Sequence, residues 1–178
     1  MRKLKAVTLI IVGCGMAQNT LFANSLYWTD AQSSVIRQSN LAGTNVQSIV
    51  TNVGAPRDIT VDPSGGKLYW TDAQSSVIRQ SNLNGTDVQN IVTNVGAPLD
   101  ITVDPIDGKL YWTDAQSSII HQSNLNGTDV QNIVTNVGAP YDLAVAVPTP
   151  EPATLTLLGS ALLLIGGIRL LRWRQARH

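Results

Sequence analysis

Leu68 to Lys109 reads LYWTDAQSSVIRQSNLNGTDVQNIVTNVGAPLDITVDPIDGK, and nearly the same line of residues stands on either side of it. Its tetrad Tyr69-Trp70-Thr71-Asp72 has copies at Tyr27-Trp28-Thr29-Asp30 and Tyr111-Trp112-Thr113-Asp114, each 42 residues from the next. The first two repeats differ at only six of 42 positions. A fixed period of this size marks a solenoid, a propeller or an array, so the fold question reduces to what one repeat can form.

Each repeat offers four strand segments. Lys67 to Asp72 is apolar and aromatic, Val77 to Leu83 is mixed, and Val88 to Thr93 carries β-branched residues. Leu99 to Asp104 alternates apolar and polar with period two, as a half-buried strand does. Asn84-Gly85 predicts a tight hairpin with positive φ, Gly96-Ala97-Pro98 breaks pairing, and Asp104-Pro105-Ile106-Asp107-Gly108 closes a further turn. The expectation is one four-stranded antiparallel sheet per repeat. A single such sheet leaves both faces wet, so neighbouring sheets must stack.

The flanks of the repeats differ from them in charge. Arg2, Lys3 and Lys5 open the chain, and Arg169, Arg172, Arg174 and Arg177 close it. Between residues 24 and 149 there are eleven aspartates and five basic residues, a net of minus six, which argues against a nucleic-acid partner. Residues 1–23 read as a secretory signal peptide, with a basic start, the apolar run Ala6 to Val12 and small residues before cleavage at Ala17 or Ala23. Ile11-Val12-Gly13-Cys14 offers a lipobox as the alternative. Cys14 is the only cysteine, so the exported part carries no disulfide and no thiol chemistry.

At the other end, Val147-Pro148-Thr149-Pro150-Glu151-Pro152 is a rigid polar break. Ala153 to Ile168 is apolar apart from small hydroxyl residues, 16 residues up to Arg169 and 19 when counted to Leu171, near the lower end for crossing a bilayer. The expected layout is therefore a signal peptide (1–23), three repeats over 24–147 (26–67, 68–109 and 110–147), a linker (148–152), a transmembrane helix (153–171) and a basic cytoplasmic tail (172–178).

Two resemblances follow. Pro150-Glu151-Pro152, a short Leu/Gly-rich span and terminal arginines together resemble the PEP-CTERM sorting signal of Gram-negative bacteria. That implies transient anchoring in the inner membrane, recognition by an exosortase, removal of the tail, and delivery to the cell surface or exopolysaccharide matrix. In the middle, Leu-Tyr-Trp-Thr-Asp, an Asn-Leu-x-Gly turn and an Ile-Thr-Val-Asp strand resemble the class B repeat of low-density-lipoprotein receptors, the YWTD β-propeller family. The resemblance implies an all-β fold of about three four-stranded blades, half of a six-bladed ring. It places Asp58 to Val61, Asp100 to Val103 and Asp142 to Val145 on inner strands lining a channel. Tyr27, Tyr69, Tyr111, Trp28, Trp70 and Trp112 would then sit in or beside the packing between blades.

Three repeats do not close a ring. An open end exposing an indole, a phenol and a few aliphatics leaves roughly 300–500 Å² of apolar surface wet, which forfeits about 7–12 kcal/mol as an upper estimate. That is comparable to the whole stability of a typical domain. A homodimer of two half-rings, head to tail, would remove both open ends; the other outcome is an isolated arc.

Little in the chain points to chemistry. His121 is the only histidine of the exported region and replaces Arg37 and Arg79 of the other repeats, which reads as a solvated strand position. There is no histidine-cysteine metal cluster and no glycine-rich phosphate loop. The aspartates most simply accept hydrogen bonds from turn and edge amides. The sharper alternative is a channel ring of Asp58, Asp100 and Asp142 that holds Ca²⁺. Otherwise no catalytic, cofactor or metal residue is expected. Arg57, Leu99 and Tyr141 occupy one equivalent position before the inner strand and form the candidate contact surface. The favoured function is a non-enzymatic surface or matrix module that binds polysaccharide or protein. Alternatives are a propeller-type lyase or hydrolase with its site at the channel mouth, or a truncated repeat-expansion product.

Overall fold

The computed structural model describes residues 24–146. The signal segment, the Pro150-Glu151-Pro152 motif, the 153–171 helix and the basic tail lie outside the described residues. Within them the fold is all-β, arranged as three antiparallel sheets. The first holds β1 (Ser25–Asp30), β2 (Val35–Asn40) and β3 (Gln47–Thr51) in that order. The second holds β4 (Pro56–Asp62), β5 (Lys67–Asp72), β6 (Val77–Asn82) and β7 (Gln89–Thr93). The third repeats the second with β8 (Pro98–Asp104), β9 (Lys109–Asp114), β10 (Ile119–Asn124) and β11 (Gln131–Thr135). These are the blades of a partial propeller.

Sheet boundaries fall one strand ahead of the repeat boundaries. Leu68 to Lys109 supplies three strands to one sheet, and then β8 crosses to become the inner strand of the next. The crossing is made at Asn94-Val95-Gly96-Ala97, where Asn94 and Gly96 both take left-handed φ. This offset threads one sheet covalently into its neighbour. It also leaves the first sheet with three strands.

Strand alternation then gives each sheet two unlike faces. On β5, Leu68, Trp70 and Asp72 face back toward the first sheet, while Tyr69 and Thr71 face forward to the third. The cores follow this division. One joins Ile36, Val50 and Val53 of the first sheet to Leu68, Trp70 and Leu83 of the second, with Tyr27 packed against it. The other joins Tyr69, Ile78, Val92 and Val95 to Leu110 and Trp112 of the third. Tryptophan of one sheet thus meets tyrosine of the sheet before it. Trp70 and Trp112 are buried, and so is Tyr69. The indoles lose most of their apolar area to water only because a neighbouring sheet supplies the opposite wall.

Two turn-level expectations are corrected. Asn84-Gly85 does not make a two-residue hairpin; Gly85 and Asp87 take left-handed φ but Asn84 does not. The wider loop wins because the Asn82 amide donates to the Thr86 carbonyl across it and the Gly85 amide donates to the Asn82 carbonyl, and the Asn84 Oδ1 accepts from both the amide and the hydroxyl of Thr86. Asp142 to Val145 does not form a strand. It lies where an inner strand belongs, yet among the described residues it has no antiparallel partner to complete a ladder.

Candidate functional site

The YWTD threonine and aspartate are joints between sheets. Thr71 Oγ1 accepts from the Asp58 amide within its own sheet, at 3.1 Å, and donates to the Leu99 carbonyl of the next, at 2.9 Å. Thr29 makes the same forward bond to the Arg57 carbonyl, at 3.1 Å. Asp72 Oδ1 accepts from the amides of Gln74 and Ser75 in its own turn and from Ala55 in the loop arriving from the first sheet. Its Oδ2 pairs with Arg79 at 3.0 Å. A Cβ on Gly54 would collide with the Asp72 carboxylate, so this loop needs glycine for space as well as for its φ of 72°. Asp114 repeats the pattern with Ala97, Gln116 and Ser117. Burial pushes its carboxyl up, but those donors outweigh it and hold Asp114 below the ordinary carboxylate range.

The threonine bonds fix the inner strands side by side. Arg57, Leu99 and Tyr141 each follow the proline that opens an inner segment, and so line up at one end of the channel wall. Arg57 and Tyr141 are exposed and Leu99 is half-buried. The carbonyls of Arg57 and Leu99 are held by Thr29 and Thr71, which leaves their side chains free to differ.

The inner-strand aspartates form a row. Asp58 Oδ2 accepts from the Ile101 amide at 2.9 Å, and Asp100 Oδ2 accepts from the Leu143 amide at 2.6 Å. Each carboxylate therefore stitches its strand to the next. Burial and the adjoining Asp58 carboxyl raise Asp100 to about 7. Among the described residues no group of three or more His, Cys, Asp or Glu side chains is placed to hold a metal ion. The Ca²⁺ ring is corrected accordingly: two members of its triplet are committed to backbone amides of the next inner segment. Asp62 and Asp104 close their own turns by accepting from Gly65, and from Ile106 and Asp107.

His121 is not a solvated strand residue. Its ring stacks on Trp112 with centroids 5.3 Å apart and planes 16° apart, and Nε2 lies 3.8 Å from Asp114 Oδ2. The cross-strand register explains this, because His121 opposes Trp112 as Arg79 opposes Trp70. The shorter side chain borders a cavity of about 200 Å³ that Val92, Val95, Trp112 and Asp114 also line. Only the His-for-Arg exchange at an otherwise copied position hinted at it. Burial, with Asp62 adding to it, pushes the Tyr69 phenol up to about 12, so it stays neutral.

Stacked four-stranded sheets, tied by a threonine forward and an aspartate backward, define an arc of a YWTD-type β-propeller. Residues 24–63 and 66–105 match the low-density lipoprotein receptor repeat class B. Among curated proteins none is similar in sequence. Solved structures are. A chain in the nidogen/laminin complex is 29% identical with a TM-score of 0.64, covering 67% of this chain and 47% of that one. Virginiamycin B lyase from Staphylococcus aureus is 20% identical, with a TM-score of 0.56 over 68% of this chain and 42% of the lyase. A streptogramin B lyase is 22% identical, with a TM-score of 0.54 over 67% and 40%. The chain spans less than half the length of each of these proteins.

Proposed function

We propose that this chain is a non-enzymatic binding or scaffold module, exported through its signal segment and sorted by an exosortase to the cell surface or extracellular matrix of a Gram-negative bacterium. It works as a homodimer whose two arcs make one six-bladed ring, and it binds a protein or polysaccharide at the channel end bearing Arg57, Leu99 and Tyr141. One observation carries the binding role. Thr29 and Thr71 hold the carbonyls of Arg57 and Leu99 in the same way, while the residue at that end changes from guanidinium to isobutyl to phenol along the three repeats. A rigid frame with one varied position suits recognition. The similar nidogen chain, solved in complex with laminin, supports a protein partner.

A second reading has one observation behind it. Asp100, raised to about 7, has the proton affinity of an acid-base group at neutral pH. Its Oδ2 already accepts from Leu143, however, and its neighbours are carboxylates rather than a complementary nucleophile. Likeness to lyases at this level of identity speaks for the fold alone.

Two experiments test the proposal. Mass spectrometry of secreted and surface fractions should find chains starting near residue 24 and ending near Pro150-Glu151-Pro152. A tail retained in the inner membrane would contradict the sorting. Tyr141→Ala and Arg57→Ala should each weaken retention on the native matrix while leaving the melting temperature unchanged; unchanged retention in both would remove the contact surface.

A further inference from the structure

The two open ends of the arc are the halves of a junction the molecule has already built twice. At the front, Leu26 and Leu41 are 45% and 59% exposed, while their copies Leu68 and Leu83 are 0% and 7% exposed against the first sheet. At the back, Val134 is 43% exposed, while Val50 and Val92 are 6% and 7% exposed against the following sheet. What the front lacks is an Ile-Val wall, and the back of the third sheet presents one in Ile120, Val134 and Val137. What the back lacks is a Leu-Trp wall, and the front presents Leu26, Trp28 and Leu41.

The glycines report the same vacancy in finer detail. A Cβ on Gly85 would strike the Ile49 carbonyl of the sheet before it, and one on Gly127 would strike the Ile91 carbonyl. Gly43, the copy at the front, has nothing within 4 Å. Gly54 and Gly96 are pressed by the carboxylates of Asp72 and Asp114, whereas Gly138 at the back is open. Among the described residues Asp30 at the front holds no arriving loop, and the Ala139 amide at the back has no carboxylate partner. The 142–146 segment already takes the Leu143–Asp100 bond of an inner strand, and among the described residues it has no strand partner. Among the described residues β1 has one strand neighbour, β2, so its inner edge is that missing ladder.

We infer that a second copy of this chain docks head to tail at both ends, with the 142–146 segment of each copy pairing as inner strand on β1 of the other. This rests on the reading of the protein as an arc completed by its own kind, and it names the contacts. The Gly43 turn seats on the Ile133 carbonyl of the second copy, Asp30 accepts from the second copy's Ala139 amide, and Trp28 enters the second copy's Ile-Val wall. Two identical junctions cover four open faces, roughly 1,200–2,000 Å² of apolar surface at about 300–500 Å² each, the size of a stable specific interface. Two copies also supply about the length of the nidogen-complex chain, of which one copy covers 47%. Head-to-tail contacts close a ring when the rotation returns to its start and run on as a filament when it does not.

The test is the mass of the full chain in mild detergent at micromolar concentration, by sedimentation velocity, beside three variants. Gly43→Asn keeps a left-handed φ that asparagine tolerates and meets nothing within the single chain, but it collides at the junction. Val134→Asp puts a charge on the back wall at a position already exposed in the single chain. Gly108→Asn is the control, since Gly108 is open and away from both ends. The native chain and Gly108→Asn should sediment as dimers, and Gly43→Asn and Val134→Asp as monomers with native circular dichroism. A monomeric native chain overturns the inference, as do dimers in both end variants, and a mass that keeps climbing with concentration replaces the ring by a filament. The readout does not depend on ligand or sorting, so a dimer that binds no matrix refutes the proposed function alone.

Discussion

The same sixteen residues, LYWTDAQSSVIRQSNL, stand at 26–41 and at 68–83, and they live in different surroundings. In the second sheet Leu68 and Trp70 have no exposed surface, and Asp72 has none on its side chain. In the first sheet Leu26 is exposed, Trp28 half-buried, and the Asp30 side chain 23% accessible. Backbone geometry hardly differs, because both segments pair in the same register with β2 and β6 respectively. What differs is the wall behind them. Local sequence makes the blade, and the preceding blade makes its core.

That contrast should appear first in stability, measured in the monomeric Gly43→Asn background so that only one wall is at stake. Trp70→Ala empties a packed junction and should cost about 3–5 kcal/mol in urea denaturation, whereas Trp28→Ala should cost about 1 kcal/mol. Equal losses would erase the distinction. Next in size is Asp72→Ala, which removes the buried acceptor of the Ala55, Gln74 and Ser75 amides and the partner of the Arg79 guanidinium, for about 2–4 kcal/mol. Asp30→Ala should be barely measurable, since Asp30 holds only its own turn and a surface ion pair with Arg37. Thr71→Val should then cost about 1–2 kcal/mol for two lost hydrogen bonds, and Thr29→Val about half that for its one bond to Arg57.

The smallest effect concerns pH and the inner strands. Asp100 sits at about 7 in the folded chain, against about 3.9 for a free aspartate. The folded state therefore holds the extra proton between those values, and stability falls as pH rises from about 4 to about 7. Asp58 and Asp142 are the carboxylates that face it. Solvent screening at this half-buried site keeps the slope shallow. Asp100→Asn should flatten it in melting curves across that range while keeping an oxygen for the Leu143 amide. An unchanged slope would remove Asp100 as its source.

Most strands were legible because period-two patterning and the YWTD copies mark them directly. Pairing across repeat boundaries was harder to see. Nothing in Leu99 to Asp104 says that it leaves its own repeat's sheet, since the choice is made by the left-handed turn at Asn94 and Gly96 and by Thr71 holding the Leu99 carbonyl. Asp142 to Val145 carries the inner-strand signature and forms no strand, because a ladder needs a partner that sequence cannot supply. The Asn84-Gly85 signal misled for a local reason, as the Asn82–Thr86 pairing favours a wider loop. At the candidate site, the varied trio Arg57, Leu99 and Tyr141 was visible from the repeat alignment. The His121 stack on Trp112 was not, because it depends on which residues oppose each other across β9 and β10.

The central claim is that a blade's tryptophan is buried by the sheet before it, and that Trp28 obtains that sheet from a second copy. Fluorotryptophan labelling of the full chain, with each ¹⁹F resonance assigned by a single Trp→Phe change, reads the three repeat indoles separately. A soluble paramagnet should leave Trp70 and Trp112 sharp in every sample, and should broaden Trp28 in Gly43→Asn but not in the native chain. Broadening of Trp70, or of Trp28 equally in both proteins, would contradict the account.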